Sequence, residues 1–191
     1  MAESARRLPT FDALYAEIEA LPPNLTGEIY PAGVLRTMSR PGRAHRWASQ
    51  RVQRALQGIN RIQDGSGWWI EVDAEIRLGD ELFVPDLSGW RVERVPEFPD
   101  ENPILLTPDW CCEVLSPSTA RADRTEKLPR YAQRGVAWVW LVDPAMRAVE
   151  VYACEGGRPT LAQTAVDDAT IALQPFGIDI ALGGWWLPAQ P

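Results

Sequence analysis

The chain has one lysine and one histidine in 191 residues. Of its 19 basic residues, all but Lys127 are arginine, so any chemistry that needs an amine side chain has a single candidate. Cysteine is also scarce. Cys111, Cys112 and Cys154 are odd in number and lie in apolar runs, which suits reduced core thiols. No zinc-ligand spacing joins them. No apolar run approaches the roughly 18 residues of a membrane span, so none is expected. The opening residues MAESARRLPTFDALY lack the apolar core of a signal peptide, which makes the cytoplasm the expected address. The net charge of −7 argues against a generic nucleic-acid coat protein, because nonspecific binding is driven by phosphate neutralisation. A local basic groove remains compatible with it.

The length suits one domain able to bury a substantial core. Its expected parts are an N-terminal helix and hairpin (10–40), a core (41–154) and a C-terminal hairpin and tail (155–191). The most legible stretch begins at Asp109. Trp110 to Leu115 is a nearly continuous apolar run bounded by Pro108 and Pro117, the pattern of a strand covered on both faces. Glu113 lies in its middle, where an ionised carboxylate is costly unless paired, hydrogen-bonded or bound to a cation. Asp123 followed by Glu126 has the spacing of a capping box, and Gly135 supplies a stop. Ala137 to Val142 is a second apolar run. Strand, helix and strand in this order predict a βαβ unit with parallel strands.

Before this unit, Phe11, Leu14, Tyr15, Ile18 and Leu21 recur at helical spacing after Thr10 and stop at Pro22-Pro23. Leu25 to Met38 reads as a hairpin, with Glu28 on its first arm. A second helix is expected from Arg43 to Ile59. Its inward face carries His45, Ala48, Val52, Leu56 and Ile59, and its outward face is rich in arginine. His45 can be a core histidine with a hydrogen-bond partner or a site residue. Gln63 to Gly67 reads as a loop. Trp69 to Leu78 alternates strictly as one half-buried strand, and Leu82 to Trp90 as its hairpin partner, with a local distortion at Pro85. After Asp143-Pro144, Ala148 to Ala153 returns antiparallel. Weaker strands follow near 160–165 and 170–173, and the Trp-rich tail reads as a closing flap or an oligomer contact. The expected class is α/β, a central mixed sheet with helices 43–59 and 124–134 flanking it.

Two strand carboxylates, Asp86 and Glu113, could converge on one hard cation such as magnesium or manganese. Such a site would polarise a phosphoryl oxygen and activate water for phosphodiester hydrolysis. A nearby lysine would orient that water and offset developing charge. Lys127 borders the apolar side carrying Leu128 and Tyr131, at a position expected to be exposed and tolerant of alanine. At helical spacing Lys127, Arg130 and Arg134 form a basic stripe, flanked by Arg124. Each residue also has an ordinary reading: Asp86 as a turn after proline, Lys127 as a solvated helix lysine.

The segments LFVPDLSGW and DWCCEVLSPSTARADRTEKLPRYAQRGVAWVWLVDP resemble the Uma-type restriction endonuclease family, a branch of the PD-(D/E)XK nuclease superfamily. The likeness is carried by EVLSPST, then the D and EK, YA, GV and WLVDP. It covers roughly Gly27 to Tyr152. It implies a restriction-endonuclease-like core and a magnesium- or manganese-dependent DNA endonuclease, often a homodimer. By motif, Asp86 resembles the PD aspartate and Glu113 the (D/E) glutamate. Glu28 resembles an auxiliary acidic residue, and His45 is expected in the same cleft. Leu115 stands where the superfamily pattern has lysine, so the resemblance implies a lysine relocated to Lys127, with Arg124, Arg130 and Arg134 as possible DNA backbone contacts. Two alternatives stay open: a catalytically silent DNA-binding or protein-interaction module, or an RNA or small-molecule phosphodiesterase on the same fold.

Overall fold

The alternation and breaks in the sequence translate, among the described residues, into 12 strands and a few short helices. A computed structural model describes residues 8–60 and 66–188; of the expected loop 63–67, positions 63–65 lie outside the described residues. In chain order the first half holds α1 (Phe11–Glu19), β1 (Leu25–Ile29), β2 (Leu35–Ser39), α2 (Arg43–Leu56), β3 (Trp68–Val72), β4 (Ile76–Leu78), β5 (Glu81–Phe83) and β6 (Leu87–Arg91). The second half holds β7 (Trp110–Val114), α3 (Ala120–Ala122), a π-helical turn (Asp123–Lys127), α4 (Leu128–Gln133), β8 (Trp138–Asp143) and β9 (Ala148–Glu155). It ends with β10 (Arg158–Val166), β11 (Thr170–Leu173) and β12 (Ile178–Ala181). No helix among the described residues is long and apolar enough to cross a membrane.

Two compact units emerge. One comprises the residues up to Arg40 with Glu75–Val84 and Glu101–Leu106, and the other comprises Pro41–Ala74, Pro85–Asp100 and the chain from Thr107 onward. The first is a four-stranded sheet in the order β2-β1-β5-β4. Thr10 caps α1 by accepting the Ala13 amide at 3.3 Å. The helix then buries Phe11, Leu14 and Ile18 against Ile29 and Leu82.

The second unit is built on a six-stranded sheet in the order β10-β9-β8-β7-β6-β3. Every neighbouring pair is antiparallel except β7 and β8, which run parallel as the βαβ pattern predicts. All five residues of β7 are buried. Trp110, Cys112 and Val114 join a core with Ala48, Val52 and Leu56 of α2. Strand alternation turns Cys111 and Glu113 to the other face. The tail closes the first of these faces. Leu173, Ile180, Trp185 and Trp186 are buried in the same core, and Phe176 meets the rings of Trp68, Trp110 and Trp140 edge-on.

Two expected elements are interrupted. The strand expected over 69–78 is split into β3 and β4, and its partner over 82–90 into β5 and β6, with each half pairing in a different sheet. The cause is local. Asp73 takes φ 51°, a left-handed conformation that ends a strand, and Pro85 offers no N–H to a ladder. The helix expected to start at Asp123 instead begins at Ala120, and Asp123 is inside it. Leu128 donates its N–H to the Asp123 carbonyl, five residues back. This wide turn precedes Pro129, which has no N–H for the regular ladder, so the π-helical turn absorbs the proline that a plain α-helix would not. As a consequence Asp123 and Lys127 both face inward.

Candidate active site

β6 and β7 pair Leu87 with Cys112, and one step further the same register sets Asp86 opposite Glu113. Opposite residues of an antiparallel pair share a face, so sequence distance is no obstacle to these carboxylates acting together. Asp86 follows Pro85 where β6 begins. Its Oδ2 accepts the Val114 amide at 2.7 Å, and its Oδ1 lies 3.0 Å from His45 Nε2. A carboxylate only accepts, so Nε2 carries the proton in this contact. His45 Nδ1 is buried and has no hydrogen-bond partner among the described residues. His45 is on the inward face of α2, as its spacing predicts.

Glu113 belongs to a second cluster, and β7 carries the two clusters on consecutive residues. Lys127 Nζ is 2.7 Å from Glu113 Oε1, and the Tyr131 hydroxyl donates to the same oxygen at 2.5 Å. Asp123 Oδ1 lies 3.9 Å from Nζ. Relative exposures of 4% for Glu113, 3% for Asp123, 2% for Lys127 and 0% for Tyr131 place this polar group in the interior. The expected exposed lysine is therefore corrected: the π-helical turn rotates Lys127 under the sheet. The same rotation removes Lys127 from any exposed stripe with Arg130, which is half-buried, and Arg134, which is exposed.

Arg124 is ion-paired to Asp143 at 3.3 Å and to Glu150, so two carboxylates match its charge. Glu28 belongs to the four-stranded unit. It is fully buried there, and its Oε1 accepts the Val84 amide at 2.8 Å. Three neighbours escape a reading of the sequence. Periodicity puts Tyr131 on the apolar side of a helix, Asp123 at a cap, and Asp73 on the solvent face of a strand. Only the i, i+4 spacing of Asp123 to Lys127 and of Lys127 to Tyr131 signals them, and that spacing is common.

The electrostatics follow from burial and like charges. Burial raises the Asp73 carboxyl above its usual value, the nearby Asp86 charge raises it further, and His45 partly opposes this. Asp73 also donates its amide to the Asp86 carbonyl at 3.3 Å, which fixes the two strand ends together. Burial first, then the Glu113 charge, pushes the Cys111 thiol well up; for Cys112 the sequence is burial, Asp86 and Glu113. Burial pushes Cys154 up to about 11. All three thiols are therefore protonated at about pH 8, and alkylation by iodoacetamide, followed by mass spectrometry, is expected to stay slow until denaturant is added.

Among the described residues no group of three or more His, Cys, Asp or Glu side chains is disposed to hold a metal ion. Two hard carboxylates nevertheless fit magnesium, which keeps most of its waters and commonly takes one or two carboxylates plus substrate phosphate. Both oxygens of Asp86 and Oε1 of Glu113 retain lone pairs beyond the contacts they make. The donor set suits a hard divalent cation and not a thiolate metal.

A family model described as "Putative restriction endonuclease" matches residues 13–185. Among solved structures the chain is similar to one from Anabaena variabilis, titled a "putative nuclease belonging to DUF820". The two are 22% identical with a TM-score of 0.71, and the match covers 94% of this chain and 99% of that one. At that identity the likeness shows the fold. No curated protein matches the chain. The family match spans nearly the whole sequence and includes both carboxylate clusters, and on that ground the chain belongs to the Uma2 restriction endonuclease family.

Proposed function

We propose that this protein hydrolyses phosphodiester bonds in DNA with a divalent cation, magnesium or manganese, held by Asp86 and Glu113. The observation that carries this reading is their attachment to consecutive residues of β7. Asp86 is bonded to the Val114 amide, and the preceding residue is Glu113, paired with the only lysine of the chain. When bound there, the cation supplies Lewis-acid polarisation of a phosphoryl oxygen and lowers the pKa of a water.

The protein's own groups supply the rest. His45 and the Val114 amide fix the Asp86 carboxylate from two sides, so it needs no reordering to act as a ligand. Tyr131 fixes Glu113 in the same way. Lys127 places a positive charge where negative charge develops, and its amine is a better proton partner than any arginine, whose pKa is too high. Family resemblance supports a homodimer; sedimentation velocity showing only monomer at working concentration would remove that part.

Calorimetric titration with magnesium or manganese tests the site. Wild type is expected to bind one ion that the Asp86→Ala, Glu113→Ala double variant does not bind, and equal binding by both places the ion elsewhere. A second reading has one observation in its favour: Glu113 is already neutralised by Lys127, and both Asp86 oxygens are engaged. That is also how a silent nuclease-fold binding module would look. Magnesium-dependent plasmid nicking separates the two, and DNA against RNA substrates sets the substrate class.

A further inference from the structure

We infer that Asp123 is a positioning residue, the second seat of the Lys127 ammonium, taken up when a divalent cation occupies Glu113. The inference rests on the cation reading of Asp86 and Glu113 given above. Its basis is a buried lysine with two carboxylates at unequal distance, 2.7 Å to Glu113 and 3.9 Å to Asp123. One carboxylate is enough to neutralise one ammonium. A second carboxylate that is only 3% exposed carries a large desolvation cost, which an ion pair at 3.9 Å offsets poorly. The arrangement is explained if Asp123 is the partner for another state.

A divalent cation and an ammonium compete for Glu113. In a low-dielectric interior their mutual repulsion is strong, so the ammonium must move away or the cation binds weakly. Asp123 offers it a place inside the protein, about 1 Å away to reach ordinary hydrogen-bond distance. The formal charge of Glu113, Asp123 and Lys127 together is −1, two carboxylates against one ammonium, so the cluster can accept a cation without becoming a purely positive site. Tyr131 completes the device. Its hydroxyl holds Glu113 Oε1 at 2.5 Å, so the carboxylate keeps its orientation while the lysine departs. Both carboxylates reach the ammonium only because the π-helical turn points Asp123 and Lys127 inward together.

The single lysine makes the test direct. Protein labelled only at lysine nitrogen and at carboxylate carbons gives one Nζ signal, and scalar coupling through its hydrogen bond identifies the carboxylate it touches. In wild-type protein without metal, Nζ is expected to couple to Glu113; on saturation with magnesium the coupling moves to Asp123. Asp123→Asn is expected to bind magnesium about tenfold or more weakly, the usual scale for a group that supports a ligand. If wild type binds magnesium while Nζ stays coupled to Glu113, or if folded Asp123→Asn binds as tightly as wild type, the inference is overturned and the cation site stands. If wild type binds no magnesium, both fall together. The wild-type coupling decides the matter even if the variant does not fold.

Discussion

Lys127→Ala is expected to lose cleavage and stability together. As the group that offsets charge or moves a proton, Lys127 contributes about two orders of magnitude or more in rate. Its burial adds a second effect that an exposed helix lysine would not have. Alanine leaves Glu113 in the interior with Tyr131 but without its cation at 2.7 Å, and breaking a buried pair from one side costs about 3–5 kcal/mol. Urea unfolding followed by tryptophan fluorescence reads the stability, and initial rates of plasmid nicking read the activity. Lys127→Arg keeps the charge but brings a planar fork to a site that is 2% exposed, so it is expected to restore neither fully. Near-wild-type unfolding of the alanine variant would mean that Lys127 reaches solvent.

Asp86→Asn and Glu113→Gln are expected to be equally inactive but unequally stable. Each removes one of two ligand charges, and several kcal/mol of transition-state stabilisation lost is about three orders of magnitude in rate. The Asp86→Asn side chain keeps a carbonyl oxygen for the Val114 amide, so this variant is expected to unfold within about 1 kcal/mol of wild type. Glu113→Gln removes the charge nearest the Lys127 ammonium and leaves it with the Asp123 carboxylate at 3.9 Å, and a loss of about 3 kcal/mol or more is expected. Paired rate and urea measurements check both halves. Equal stability of the two variants would contradict the assignment of Glu113 as the buried partner.

The parts of this molecule legible in sequence are those where period and burial agree. β7 is apolar throughout but for Glu113 and is flanked by prolines, and it is indeed covered on both faces. The parallel β8, the antiparallel β9 and the inward face of α2 follow from the same reasoning, and with them the His45–Asp86 contact becomes reachable. The misreadings come from backbone features that periodicity does not encode. Alternation continues across Asp73, so nothing in the side-chain pattern shows that a left-handed residue divides one strand between two sheets. Pro129 signals trouble in its helix, but not that one π-helical turn resolves it. That turn decides the phase of Lys127, and hence its burial, its pairing with Glu113 and the company of Asp123. Tyr131 is legible as a buried residue; that its hydroxyl meets a carboxylate depends on the cross-element geometry.

The central claim is that Asp86 and Glu113 share one ion. Crystals of the wild-type protein soaked in manganese, with anomalous data collected at an energy where manganese scatters, test it most directly. A single anomalous peak is expected at direct-coordination distance, about 2.1 Å, from a carboxylate oxygen of each residue. No peak near β7 at saturating manganese, or a peak bound to only one of the two carboxylates, would contradict the account.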